Sequence, residues 1–441
     1  MKRIILEKLN KWKTSKRRKP LLLRGARQVG KTWVLKEFGK SFPDGFLHID
    51  FDKQIEYRQF FEQTKDVKRI LANLAMASGK KITENTLIIF DEIQACESAL
   101  NSLKYFCEDA PRYSVVGAGS LLGLKLASGF PVGKVEFLDM YPMTFTEFLL
   151  ASGDKNLVEY LDTIETPENI PQAFMGPLEE KLKTYFVTGG MPESVLNWVE
   201  DQDVAAVDKV LSDILTAYEA DFAKHADKTD VPKIQYIWDS LPSQLSRENK
   251  KFLYSAVKPG ARAREYENAL NWLNNANLVK KVFRSTKPGL PISAYDDLTS
   301  FKIYMGDVGL LRKKAGLATS AFAEQNRLFT EFKGALTENF VLQNLSGMFD
   351  VAPRYWSDNF HEVDFIIQKE NTIIPIEAKA GTNIKAASIK YYDKQYDAPL
   401  MVRFSMRNLS RDGKMLNIPL FMADRLDGLL EKWGSDKIYE F

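Results

Sequence analysis

The sequence predicts an α/β chain with several parts: a parallel sheet built around a phosphate-binding loop, a helical region, a small module of helices with a hairpin, and a second α/β domain. Three observations predict it. The apolar run Leu21-Leu22-Leu23 leads into Gly25-Ala26-Arg27-Gln28-Val29-Gly30-Lys31-Thr32 and then into a helical stretch ending near Phe38. A second apolar run, Leu87-Ile88-Ile89-Phe90, ends in Asp91-Glu92. The last part of the chain reads as helix, three strands, helix and strand, with Asp364 opening the second of those strands and Glu377-Ala378-Lys379 closing the third.

Size and composition admit this architecture. A length of 441 residues, against a soft prior of ~150 per domain, allows two or three separate cores. Apolar residues at 45% and charged residues at 27% exclude a disordered or fibrous chain. Lys and Arg number 61 against 58 Asp and Glu, so the formal charge is only +3, and any affinity for nucleic acid must come from local patches. Cys96 and Cys107 lack the spacing of a metal or redox pair and read as free thiols. No apolar run is long enough for a signal peptide or a membrane span, which predicts a cytoplasmic protein without a membrane partner.

Residues 25–32 match G-x-x-x-x-G-K-[ST] in full, and they do so between a strand and a helix, as a P-loop requires. Gly25 and Gly30 let the backbone of Ala26, Arg27, Gln28 and Val29 turn its N–H groups toward phosphates, while the helix that follows points its positive end at them. Lys31 is expected at the β- and γ-phosphates of ATP, and the Thr32 hydroxyl on Mg²⁺. A P-loop NTPase sheet needs a second strand with an acidic end. Asp91 fills that place as the carboxylate that holds magnesium, and Glu92 as the group that orients or deprotonates the attacking water. A third apolar strand, residues 113–116, runs into Gly117-Ala118-Gly119-Ser120. Ser120 is there either a γ-phosphate sensor or an ordinary turn serine.

In these residues the chain resembles a family of bacterial and archaeal AAA-type ATPases in which "RGARQVGKT", "DEIQ" and "GS" recur at these spacings. The resemblance extends through "LDMYPMTFTEF" (138–148) and "TGGMPESV" (188–195) into a carboxyl-terminal region similar to a restriction-endonuclease fold. It implies ATP hydrolysis and, as an option, a homo-oligomer; AAA-like assemblies commonly borrow a residue from a neighbouring copy, and whether one completes this site stays open. Lys134 stands where the family often has Arg, and because the two are not interchangeable at phosphate clamps, no arginine-finger role transfers to it. Arg27 and Arg112 remain as alternatives.

Helical periodicity over 144–150, 158–163, 178–186 and 204–223 predicts a helical lid, interrupted at Gly189, Gly190 and Pro192. That "GGMP" segment reads as an interhelical turn or as a loop over the nucleotide. Three short helices at 234–241, 252–256 and 263–276, followed by apolar 278–283 and 301–304, suggest a winged-helix module. Arg262, Arg264, Lys280, Lys281 and Arg284 cluster near its third helix and hairpin, as DNA contact would need, although Glu265 and Glu267 weaken the face. Packing or subunit contact is the other reading.

In the last segment, Glu338 lies on a helix at 332–345, and strands are expected at 351–356, 363–367 and 373–378, a helix at 384–396 and a strand at 400–404. This order resembles the PD-(D/E)xK nuclease core. Glu377 and Lys379, two positions apart on a strand, share one face. Asp364, Glu377 and Glu338 suit a magnesium ion for phosphodiester hydrolysis, with Lys379 orienting water or offsetting charge, and His361 and Glu362 beside them. The expected division is an ATPase core at 1–150, a lid at 151–228, a winged-helix-like module at 229–312 and a nuclease-like domain at 313–441. Two functions follow: an ATPase coupled to nucleic-acid binding or metal-dependent cleavage, or a nucleotide-dependent switch or scaffold whose last domain binds DNA or another partner without cutting.

Overall fold

A computed structural model describes residues 2–120, 122–125, 133–247, 250–322, 330–382 and 387–433. They pack as two units, one of residues 2–141 with 275–277, the other of the described residues in 142–274 and 278–441. The four segments expected from sequence are therefore gathered into two.

The first unit is built on five strands: β1 (Leu21–Arg24), β2 (Phe46–Asp50), β3 (Leu87–Asp91), β4 (Ser114–Gly119) and β5 (Glu136–Asp139), in the order β2-β3-β4-β1-β5. Every pairing is parallel. Parallel strands are covered by helices on both faces, which is why β3 and β4 are buried along their whole length and read as continuous apolar runs. Phe51, Phe61, Phe90 and Phe106 interlock between the sheet and the neighbouring helices, with ring centroids 5.3 Å apart for Phe61 and Phe90. The strand order carries the functional consequence. Because β4 lies between β1 and β3 and all three run the same way, the loop after β1, Ser120 after β4 and Asp91-Glu92 at the end of β3 share one edge of the sheet.

The second unit holds β6 (Val279–Ser285), β7 (Asp296–Met305), β8 (Arg354–Ser357), β9 (Glu362–Lys369), β10 (Thr372–Ala378), β11 (Met401–Ser405), β12 (Ser410–Asp412) and β13 (Met415–Pro419), in the order β12-β13-β11-β10-β9-β8-β6-β7. Helices form at Val231–Leu245, Tyr254–Val257 and Ala263–Asn275 ahead of the β6–β7 hairpin. That hairpin is not a free wing: β6 pairs with β8, Arg284 opposite Tyr355 and Ser285 opposite Trp356, so it forms the outer pair of the carboxyl-terminal sheet. The helix expected from 384 is described as Ala387–Tyr396, its first three positions lying outside the described residues. Strands β12 and β13 had no sequence expectation.

The "TGGMP" segment is an interhelical turn between Gln172–Thr188 and Pro192–Asp201. Asp307, fully buried, locks it: its carboxylate accepts from Gly190 N at 2.6 Å, Leu310 N at 3.0 Å and Gln343 Nε2 at 3.0 Å. Gly189 is obligatory here, with φ +66° and room for no side chain, since a Cβ would fall 2.1 Å from Asp307 Oδ1. No helix among the described residues is long and apolar enough to cross a membrane.

Candidate functional site

The loop after β1 is shaped by backbone conformations that few residues tolerate. Gly25 has φ +155° and passes so close to β5's end that a Cβ would sit 2.3 Å from Met140 O. Gln28 (φ 65°) and Gly30 (φ 93°) take positive φ, and Gly30 caps the helix Lys31–Gly39. Arg3 secures the loop from outside the motif. Its guanidinium donates to Val29 O at 2.8 Å and to Tyr141 O at 2.7 Å, fixing one loop carbonyl outward.

Lys31 folds back over the loop, its ammonium donating to Gly25 O at 3.0 Å and Ala26 O at 2.8 Å. Burial pushes it down to about 8, partly offset by Glu92 and Asp91, with Arg27 pushing the same way as burial. The loop thus presents a poorly solvated cation hydrogen-bonded to two of its own carbonyls, a group that gains on meeting phosphate oxygens.

Thr32 Oγ1 donates to Asp91 Oδ2 at 2.6 Å, and His48 Nε2 lies 3.1 Å from the same oxygen. Burial would raise the Asp91 carboxyl, but the hydrogen bonds from His48 and Thr32 outweigh it and hold it below its ordinary value. Glu92 adopts a left-handed backbone (φ 46°, ψ 43°). Its carboxyl is raised by burial, with Gln94 and Lys31 opposing and Asp91 and Asp52 adding repulsion. Ser120 is buried just past β4. Of the arginine-finger alternatives Arg27 and Arg112, Arg112 is 3.7 Å from Glu84; Lys134, to which no such role transfers, pairs with Glu108 at 2.9 Å.

Three family models match separate stretches of the chain. Residues 17–149 match an AAA domain. The amino-terminal part is an AAA-type P-loop ATPase domain. Residues 179–321 match a domain of unknown function (DUF8612), and residues 333–421 another (DUF4143). None of the curated proteins matches the sequence. Among solved structures, the chain is similar to a Walker-type ATPase of Pyrococcus abyssi, 14% identical over 70% of this chain and 94% of that one, TM-score 0.43. It is also similar to the Orc1 protein of Aeropyrum pernix in complex with DNA, 11% identical over 73% and 92%, TM-score 0.28. A third is AMPPCP-bound DnaA from Aquifex aeolicus, 13% identical over 58% and 81%, TM-score 0.21. Likeness at this level carries no functional argument; the match over 17–149 and the loop geometry do.

Within the first unit, three residues had no role assigned from sequence. Arg3 and His48 lie outside every motif, and nothing in "FLHID" marks His48 as a neighbour of Asp91. Gln94 stood inside the quoted "DEIQ", but its contact with Glu92 is a side-chain matter.

Outside the AAA domain, the second unit assembles a cluster of charges. Glu338, on the helix Thr330–Leu345, pairs with Lys250 and accepts from Tyr304 Oη at 3.1 Å. Burial would raise its carboxyl, but Lys250 and Lys302 hold it below the ordinary value. Asp364 Oδ2 accepts from Ala378 N at 2.8 Å, and burial with repulsion from Glu338 pushes this carboxyl up to about 7. Glu377 meets Lys379 Nζ at 3.1 Å, as the alternation along β10 requires. It also meets Arg403 Nε at 3.3 Å, because Arg403 stands opposite it on β11. Lys302 is fully buried against Glu362. His361 stacks on Tyr391 with centroids 3.9 Å apart and lies 3.6 Å from Asp358.

The expected magnesium ligands Glu338, Asp364 and Glu377 all act electrostatically on Lys379. Among the described residues no three His, Cys, Asp or Glu side chains form a group able to hold a metal ion. Lys250 pairs with Glu338, and Lys379 and Arg403 pair with Glu377, so a divalent ion at either carboxylate would compete with those cations. Farther along the sheet, Arg284 is bound to Asp297 at 2.8 Å and Lys281 lies on Phe301 and Asn271, and of the expected DNA face Arg262 and Arg264 are the exposed members.

Proposed function

We propose that this chain hydrolyses ATP at the edge of the first sheet and uses the nucleotide state as a switch for a partner bound by its second unit. The observation that carries the first part is the 2.6 Å contact between Thr32 Oγ1 and Asp91 Oδ2. It sets two hard oxygen donors side by side beneath the phosphate loop, the arrangement an ATP-bound Mg²⁺ needs when phosphates and water supply the remaining oxygens. When bound, that ion supplies charge neutralisation along the β- and γ-phosphates.

The chain's own residues supply the rest. Main-chain N–H groups of residues 26–31 and the helix behind them bind phosphate oxygens. Lys31 exchanges two carbonyls for the β- and γ-phosphates. His48 keeps the Asp91 carboxylate ionised and fixed. Glu92, half-buried and raised, takes the proton of the attacking water, and Ser120 stands at the strand between the two motifs as the γ-phosphate sensor.

For the second unit, the paired state of Glu338 and Glu377 favours the non-cutting reading over cleavage. We assign it nucleic-acid binding through Arg262 and Arg264. The experiment compares ATP turnover and duplex binding for wild type, Lys31→Ala and Arg262→Ala/Arg264→Ala. Lys31→Ala is expected to lose turnover, and the arginine pair to lose duplex affinity and lower its salt dependence by about two ions. Mg²⁺-dependent cleavage of DNA by wild type, lost in Glu377→Ala, would overturn the non-cutting reading.

A further inference from the structure

Beside Glu92 the chain makes a tight turn whose packing is explained by two glycines. Ile93 and Gln94 lie on the face of β4 that carries Gly117 and Gly119. A Cβ on Gly117 would come 3.0 Å from Ile93 Cδ1, and one on Gly119 would come 1.9 Å from Gln94 Oε1 and 2.9 Å from Gln94 Cδ. Residues 117 and 119 share a face because strand side chains alternate. The missing side chains are therefore what lets the turn seat itself against the sheet, and the left-handed backbone at Glu92 is what bends the chain out of β3 toward that seat.

Seated there, the Gln94 amide has two different ends. Its Nε2 donates to Glu92 Oε2. Its Oε1 is buried and has no hydrogen-bond partner. A buried amide with one end unsatisfied persists when the other end makes a charge-assisted bond and the surrounding packing leaves no alternative rotamer. The carboxylate it holds belongs to the residue read above as the base. A base must sit within hydrogen-bond reach of one particular water, and a carboxylate on a freely turning side chain spends little time there.

We propose that Gln94, seated on the bare Cα of Gly119, is the positioning residue that orients the Glu92 carboxylate for attack on the terminal phosphate. The proposal rests on the reading of Glu92 as the base. Gln94 touches no phosphate, since Lys31 and the loop amides do that, so its removal acts on turnover and spares nucleotide affinity. Gly119 acts through Gln94: a methyl group there drives the amide off its seat.

The test measures steady-state ATP turnover and ATP-analogue affinity for Gln94→Leu, Gly119→Ala, their combination and Glu92→Gln, with thermal melting as the control for folding. Gln94→Leu keeps the volume and loses the donor; kcat is expected to fall about 10- to 100-fold with KM for ATP and analogue affinity within about twofold of wild type. Gly119→Ala is expected to reproduce that fall, and the double variant to fall no further, because the two changes break one interaction. Gln94→Met serves if the leucine variant does not fold. Wild-type or increased kcat in Gln94→Leu, alongside an inactive Glu92→Gln, overturns the proposal alone, as does a fall additive with that of Gly119→Ala or one confined to KM. Turnover retained by Glu92→Gln instead overturns the assignment of the base beneath it.

Discussion

Thr32 and Asp91 are separated by 59 positions in sequence and by 2.6 Å in space. The contact exists because β1 and β3 run parallel on either side of β4, so the helix after one strand and the acidic end of the other meet above the same edge. It predicts that Thr32→Val, which keeps the shape and removes the hydroxyl, lowers kcat about 100-fold. The same variant should demand a higher Mg²⁺ concentration for half-maximal turnover. A magnesium titration that superimposes on wild type would show that Thr32 serves only the loop's packing.

Lys31 predicts a pH dependence of nucleotide binding. Its ammonium, pushed down to about 8 by burial, must be protonated to meet the β- and γ-phosphates. Bound phosphate favours the charged form, so binding takes up a proton above that value, and affinity declines as pH rises through 8. The expected loss approaches tenfold per pH unit between about 8.5 and 10. Calorimetric titration of ATP in buffers of different ionisation enthalpy reads the proton uptake directly. Lys31→Arg, charged throughout that range, should flatten the profile.

The two units differ in how much of them is legible in the sequence. Residues 25–32 and 87–92 announce themselves because phosphate binding demands particular residue types in consecutive positions next to an apolar strand, and that demand is local. Glu377 and Lys379 follow from strand alternation, also local. What escaped is set by long-range register. Arg403 reaches Glu377 only because β10 and β11 pair with those two residues opposite, and Lys250 reaches Glu338 across 88 positions. His48 reaches Asp91 from a neighbouring strand. A chain motif can mark Glu377 as a metal ligand while the register sets Arg403 against it. The hairpin at 279–305 follows the same rule: its local pattern is that of a wing, but its pairing with β8, about fifty residues farther on, is not written in that pattern.

Asp307 predicts a large stability effect. It is fully buried, and burial raises its carboxyl while donors from Gly190, Leu310, Gln343 and Gly309 oppose that. Asp307→Ala leaves those donors facing a cavity. The expected cost is about 3 kcal/mol, read as a lower midpoint in urea with an unchanged slope. Gly189→Ala should cost a similar amount by a different route, since φ +66° disfavours alanine and its methyl would strike Asp307 Oδ1. Because both changes disturb one contact, the double variant should lose less than the sum of the two.

Asp364 makes the opposite kind of prediction, a substitution that stabilises. Burial and the nearby Glu338 carboxylate raise it from 3.8 to about 7, with Lys379, Lys302 and Lys250 acting against the rise. The folded chain therefore binds this proton more tightly than the unfolded chain does. Its contribution is fully present below pH 4 and is lost as pH rises through 7. Asn at this position keeps an oxygen for Ala378 N and never ionises. Relative to wild type, Asp364→Asn should be near neutral at pH 4 and more stable at pH 8 by on the order of 1–2 kcal/mol, or a few degrees in Tm. Thermal melts of both proteins across that range check it: curves that stay parallel from pH 4 to 8 would mean that Asp364 is ionised at its ordinary value, with Lys379 and Lys302 stabilising the charge more than burial opposes it.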